Sequence, residues 1–158
     1  MTMRSMLLAL LLAGAAPAYA YPDPWDDNVT VIERVRALFA AFETGDVAAM
    51  LRHVYPDGRV TALERRGDGA SNVRQLSWAQ FAERVPPGRA LLERTTDPMI
   101  MVAGDFAIVW ISFEVRVAGR IVNCGLDHFD LVRENGAWKI MNLTFSSQTT
   151  GCSAEEGR

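Results

Sequence analysis

The chain carries two histidines and two cysteines, so chemistry that needs imidazole or thiol has few places to reside. One histidine follows an aspartate in the run CGLDHFD, residues 124–130. Asp127 and His128 have the residue types of an acid/base pair. The run alternates as a strand does, however, and adjacent side chains of a strand point to opposite faces. The two therefore cannot hydrogen-bond as a dyad. Asp127 remains as the single candidate catalytic group, a general base acting on a carbon acid, because burying a carboxylate among aromatic side chains brings it toward useful basicity. The competing reading gives Asp127 a structural role, bonded to Thr144, Asn142 or a buried water.

The other reactive residues form no constellation. His53 falls on a different element from His128, no histidine–carboxylate spacing is present, and the pattern calls for no metal and no cofactor. Serine and cysteine nucleophiles lack an evident base. RRGDGAS, residues 65–71, reads as a hairpin turn rather than a phosphate-binding loop, since no strand–loop–helix unit surrounds it. The formal charge of −3 and the lack of a basic patch argue against a nucleic-acid partner.

The first residues, MTMRSMLLALLLAGAAPAYA, combine Arg4, an apolar run too short to span a bilayer comfortably, and a small-residue cleavage pattern at Ala18–Ala20. They read as a signal peptide over residues 1–20, with a retained N-terminal anchor as the alternative. No other run is long enough to cross a membrane, so the mature chain is expected to be exported, periplasmic or secreted. Loss of Arg4 with the leader makes the chain one charge more negative. Residues 21–27 form a Pro- and Asp-rich lead, residues 28–148 one domain, and residues 149–158 a tail. In an oxidising compartment Cys124 and Cys152 are expected to pair, the alternative being two buried thiols.

The elements that must position Asp127 follow from periodicity. Thr30 and Glu33 have capping-box spacing, and Ile32, Val35, Phe39 and Phe42 recur at helical steps, with Gly45 as the stop. Asp46 caps a second helix that ends before Pro56, and Ser77–Gln80 opens a third short one. RVTALE and NVRQL read as strands. From Ala90 to Gln148, β-branched and aromatic runs are cut by AGDF, VAGR and ENGA, which gives four long strands joined by three hairpins. The fold class is α+β: one curved sheet, its long strands an antiparallel meander, with the helices packed on one face.

Counting back from two-residue turns assigns faces. Glu134 opposite Ala137 puts Asp127 opposite Thr144, and a turn at Ala118–Gly119 puts Trp110 opposite Asp127. A slip of one residue would exchange the faces. In this register Asp127 shares a mixed-polarity pocket with Met99, Trp110, Ser112, Glu114, Asn123, Phe129, Asn142 and Thr144. The opposite face carries Ile111, Phe113, Val115, His128, Met141, Leu143 and Phe145. That much apolar surface requires cover. A second copy of the chain is the simplest cover, and the lead or tail the alternative.

The stretch CGLDHFDLVRENGAWKIMNLTFSSQTTGC, together with the order of long helix, short helix after TGD, YPDG and strand, third helix and meander, resembles the nuclear transport factor 2-like superfamily, in its SnoaL-like branch. The resemblance covers residues 28–148. It implies a cone-shaped domain, a strongly bent antiparallel sheet with three helices from the N-terminal half on its concave face, and a pocket between them that Tyr55 reaches from the end of the second helix, commonly dimeric through the sheet. The superfamily includes ketosteroid isomerases, polyketide cyclases, scytalone dehydratases and limonene epoxide hydrolases beside non-catalytic domains, so the fold alone assigns no reaction. The expectation is a small, mostly apolar ligand in the pocket. The alternatives are an isomerase, dehydratase or cyclase using Asp127 as base, and a dimeric interaction module without ligand.

Overall fold

A computed structural model describes residues 24–65, 69–85, 92–117 and 120–152. The expected leader lies outside these residues, as do the start of the lead and the end of the tail. Among the described residues, three helices and six strands follow in the order α1 (Pro24–Thr44), α2 (Val47–His53), β1 (Arg59–Arg65), β2 (Ser71–Ser77), α3 (Trp78–Ala82), β3 (Leu92–Ala103), β4 (Phe106–Val117), β5 (Arg120–Glu134) and β6 (Ala137–Ser147). No helix among the described residues is long and apolar enough to cross a membrane.

Helix α1 begins earlier than the capping-box spacing predicts. Pro24 opens it, a position where the missing N–H of proline costs nothing, so Thr30 lies inside the helix and donates to the Asp27 carbonyl at 3.0 Å. The other helix signals correspond to real caps. Gly45 takes φ 65° just after α1. The Asp46 side chain accepts from Ala49 N at 2.9 Å, and Ser77 and Gln80 bond reciprocally at the start of α3.

The sheet order is β2-β1-β6-β5-β4-β3. All neighbours are antiparallel except β1 and β6, which run parallel, with Val60 opposite Leu143. That one junction departs from the purely antiparallel expectation: the chain leaves the β1–β2 hairpin, crosses through α3 and returns along the other edge. Val31, Val35, Leu38 and Phe39 of α1 pack on Val109, Phe129, Leu131, Trp138 and Ile140 of the sheet to form the core. Each such side chain, fully buried, contributes about 1.5–3 kcal/mol of transfer free energy.

The three hairpin turns lie where expected. Ala103 pairs with Phe106, Val117 with Arg120, and Glu134 with Ala137. Asn135 (φ 52°) and Gly136 (φ 78°) have the two positive φ values of a type I′ turn. Between the turns, three bulges shift the register. In β3–β4 the shift falls between Thr96 and Met99, a stretch containing Pro98, which has no N–H for the ladder. In β4–β5 it falls between Val115 and Arg116, leaving Val122 unmatched. In β5–β6 it falls between Asp130 and Leu131, leaving Met141 unmatched. An extra residue on one strand bends it and exchanges the faces beyond it.

Candidate functional site: an aromatic cleft around Asp127

The bulges decide what surrounds Asp127. Its observed neighbours across the sheet are Ile111 and Phe145, not Trp110 and Thr144. It faces the helices, and only 3% of its surface is exposed. Beside it opens a cleft of about 180 Å³ between α1, α3 and the inner face of β4, β5 and β6. Phe39 and Phe42 from α1 and Phe81 from α3 form one wall. Phe113, Val115, Leu143 and Phe145 form the other. Asn123, Asp127 and Ser147 supply the polar groups.

The rings support one another edge to face, Phe39 with Phe42 at 6.0 Å and Phe42 with Phe81 at 5.6 Å, and Phe81 continues to Phe145 at 6.1 Å. Such contacts fix the wall geometry beyond what area burial gives. Gly125 makes room for the opposite wall. A Cβ there would lie 1.9 Å from the Ser146 carbonyl oxygen and 2.8 Å from the Phe113 ring. At the rim, Asn123 Nδ2 donates to Ser147 Oγ at 2.9 Å, and Ser147 Oγ donates to Asn123 Oδ1 at 3.2 Å. The next residue along each strand belongs to the bridge between Cys124 and Gln148. The disulfide Cys124–Cys152 then ties the chain after β6 to β5 beside that rim.

Of the residues expected to share a pocket with Asp127, Asn123 does so. Phe129 is on the same face but fully buried, its ring 5.8 Å from Phe39, below the cleft in the core. The remaining ones are elsewhere. Met99 and Trp110 lie on the outer face, 63% and 38% exposed. Ser112 is exposed there, and Glu114 pairs with Arg116 at 2.6 Å. Thr144 stands opposite His128. Asn142 accepts from Arg59 N and donates to Asp130 Oδ2, each at 2.9 Å. Tyr55 turns away because its neighbour Val54, 2% exposed and bridged to Ile140, takes the inward position. The Lys139 ammonium lies 5.6 Å from the Tyr55 ring, and the nearby Glu134 carboxylate holds the Tyr55 proton above the ordinary tyrosine range.

The expected outer face is corrected for the same reason. Ile111, Phe113, Val115, Leu143 and Phe145 face inward, the last four lining the cleft. Met141 sits in the bulge, where its carbonyl accepts from the Trp78 indole at 2.9 Å. His128 does face outward, its ring 4.6 Å from Trp110 and its Nε2 3.6 Å from Asp130. Asp127 and His128 thus point to opposite sides of the sheet.

Sequence reasoning missed the phenylalanines of α1 and α3 as cleft residues, and missed Ser147. A signal for the exchange was present in β4. Ser112 and Glu114 alternate with Ile111, Phe113 and Val115, and that polarity alone assigns the second set to the interior.

A family profile described as the SnoaL-like domain matches residues 35–141. No curated protein matches the sequence. Among solved structures, an NTF2-like protein of unknown function from Shewanella baltica superposes with TM-score 0.62 at 12% identity, covering 81% of this chain and 98% of its own. An NTF2-like protein of unknown function from Methylobacillus flagellatus gives 0.60 at 20%, covering 80% and 96%. A protein with a cystatin-like fold from Nostoc punctiforme gives 0.63 at 13%, covering 78% and 92%. At these identities the likeness is one of fold.

Proposed function

The chain belongs to the SnoaL-like domain family, and from that premise we propose that it binds a small, mostly apolar molecule in the aromatic cleft. The observation that carries this reading is the cleft itself. About 180 Å³ of space, walled by phenylalanines, converges on a buried aspartate with Asn123 and Ser147 at the rim. Apolar walls with a few placed polar groups are the usual make-up of a ligand site. A cavity of ~150 Å³ holds benzene, so the fitting ligand has about one ring. Its body packs on Phe81 and Phe113, and a hydroxyl or an acidic C–H turns toward Asp127.

The test is a titration of the disulfide-bonded chain from residue 21 with one-ring alcohols and ketones, read by amide NMR. Saturable shifts at Asn123, Asp127 and Phe113 are expected, and Phe81→Trp, which fills the cleft, abolishes them. No shift from any probe, with no small molecule co-purifying from the native compartment, counts against binding.

A second reading makes the site an isomerase, dehydratase or cyclase with Asp127 as the base. The position of Asp127 beside the aromatic cleft favours it, since a general base must lie within reach of the proton it abstracts. Asp127→Asn would then remove turnover of a bound carbon acid while leaving its binding intact.

The outer face supports a self-association proposal on different residues from those first expected. Met99, Met101, Trp110 and Leu126 are 63%, 60%, 38% and 38% exposed there. A second copy seated on this surface would bury it. Trp110→Asp is then expected to convert a dimer to monomer in sedimentation velocity. A wild-type chain that sediments as a monomer at high micromolar concentration removes the proposal. Export is proposed from the leader, and the disulfide fits an oxidising compartment.

A further inference from the structure

A second cleft, of about 540 Å³, lies between α1 and the β5–β6 hairpin, away from Asp127. Its charged residues are Asp27, Glu33, Arg34 and Arg133. Arg133 is fully engaged. Its Nη1 donates to Asp27 at 2.5 Å, its Nε to Asp105 at 2.8 Å and its Nη2 to the Gly104 carbonyl at 2.9 Å.

Arg34 differs. Its Nη1 meets His53 Nδ1 at 2.9 Å. Burial first, then Arg34 and Arg52, hold the His53 pKa below the ordinary range. His53 is therefore a neutral acceptor at neutral pH and does not balance the Arg34 charge. Arg34 Nε is buried with no hydrogen-bond partner among the described residues, and the same holds for Trp138 Nε1. Trp138 is 4% exposed and lines the same cleft. Arg34 and Trp138 thus both line the cleft, Arg34 as a cation with no paired carboxylate among the described residues, and each carries a buried N–H without an acceptor there. Buried donors in folded proteins are nearly always satisfied, so the chemistry missing here is an oxygen acceptor.

We propose that this second cleft binds a small organic monocarboxylate, whose oxygens accept from Arg34 and from the Trp138 indole. A guanidinium presents parallel donors that match a planar carboxylate. Asp27 and Glu33 line the same cleft, so a phosphate dianion would meet more repulsion than a single negative charge. The volume lies within the range of small-molecule sites.

The test uses the chain from residue 21 with its disulfide intact, ¹⁵N-labelled, and follows the Arg34 Nε–H and Trp138 Nε1–H signals. Benzoate, benzyl alcohol and chloride are titrated at constant ionic strength. Benzoate is expected to shift both signals downfield with saturation. Benzyl alcohol and chloride are expected to leave them in place. Trp138→Phe, which keeps a ring beneath Arg133, should weaken benzoate binding at least ~10-fold, the worth of one lost charge-assisted hydrogen bond. Arg34→Gln should abolish binding, and if that variant does not fold, Trp138→Phe alone decides. Absence of a saturable benzoate shift overturns the proposal. So does an equal shift with chloride, or rapid exchange of the indole proton with water in the unliganded protein.

Discussion

Among the described residues two aspartates are buried, Asp27 of α1 beside the C-terminal end of β5 and Asp127 at the middle of that strand, and the contrast between them separates a carboxylate held by an arginine from one that borders a cleft. Asp27, 8% exposed, is bound by Arg133. The same guanidinium reaches Asp105 and Gly104 in the β3–β4 turn and stacks 4.7 Å over Trp138. The hydrogen bond to Asp105, then that to Asp27, keep Arg133 protonated beyond its ordinary range against the pull of desolvation. One side chain thereby joins α1, the β3–β4 turn and the β5–β6 hairpin. Asp127, 3% exposed, instead borders an aromatic cleft. At ~3.3 Å per residue it lies roughly 20 Å along the strand from Arg133. Burial alone does not distinguish the two. Adjoining space does.

The largest effect should come from breaking the first of them. Arg133→Met leaves Asp27 buried without its guanidinium, and removal of one partner of a buried pair costs about 3–5 kcal/mol. Urea unfolding should show that loss, and adding Asp27→Asn should recover part of it, since the two changes share one interaction. A loss below ~1 kcal/mol, the range of surface pairs, would erase the contrast from this side. At the other end, the disulfide closes a separation of 28 residues beside the cleft rim. Replacing Cys124 and Cys152 with serine should cost about 3.5 kcal/mol on the chain-entropy account, read as a lower urea midpoint that reductant no longer changes. Asp127→Asn keeps the size of the side chain and an amide oxygen and N–H for hydrogen bonding, so its effect should be smaller still, about 1 kcal/mol, while ligand shifts at Asn123 and Phe113 change or vanish. If it destabilises as much as Arg133→Met does, Asp127 is a structural carboxylate and the comparison collapses.

Much of this was legible in the residues themselves. The Gly45 stop, the Asp46 and Ser77 caps and the three hairpin turns are local signals, each with a local cause, and the structure keeps all of them. The split of Asp127 from His128 needed only the period of a strand. The surroundings of Asp127 were not legible by counting from turns, because an unmatched residue at Val122 and another at Met141 leave the turns intact and exchange faces between them. At Met141 the cause is tertiary. The Met141 carbonyl is received by the Trp78 indole across the molecule, and Gly58 lets the chain pass so close that a Cβ there would lie 1.8 Å from that same oxygen. The polarity of Ser112 and Glu114 recorded the outcome, though not the mechanism. The Asp27–Arg133 network joins residues far apart in sequence and has no short motif.

The smallest predicted effect concerns His53, and it tests whether the end of the domain opposite Asp127 is electrostatically settled. Burial and the charges of Arg34 and Arg52 lower its pKa from the ordinary 6.5. The unfolded chain therefore binds this proton more readily than the folded one. Between the lowered folded value and ~6.5, stability rises with pH. The contribution is complete above ~6.5 and is lost as pH falls through the folded value. Melting curves of the parent and of His53→Asn, taken from pH 5 to 8, should diverge at neutral pH and converge on acidification. A direct ring titration should give a midpoint below 6.5. A midpoint at or above 6.5 would mean that neither the burial of His53 nor the Arg34 contact at 2.9 Å acts on the ring as the fold indicates. The second cleft would then lack the fixed arginine that sets it apart from the closed Arg133 network beside it.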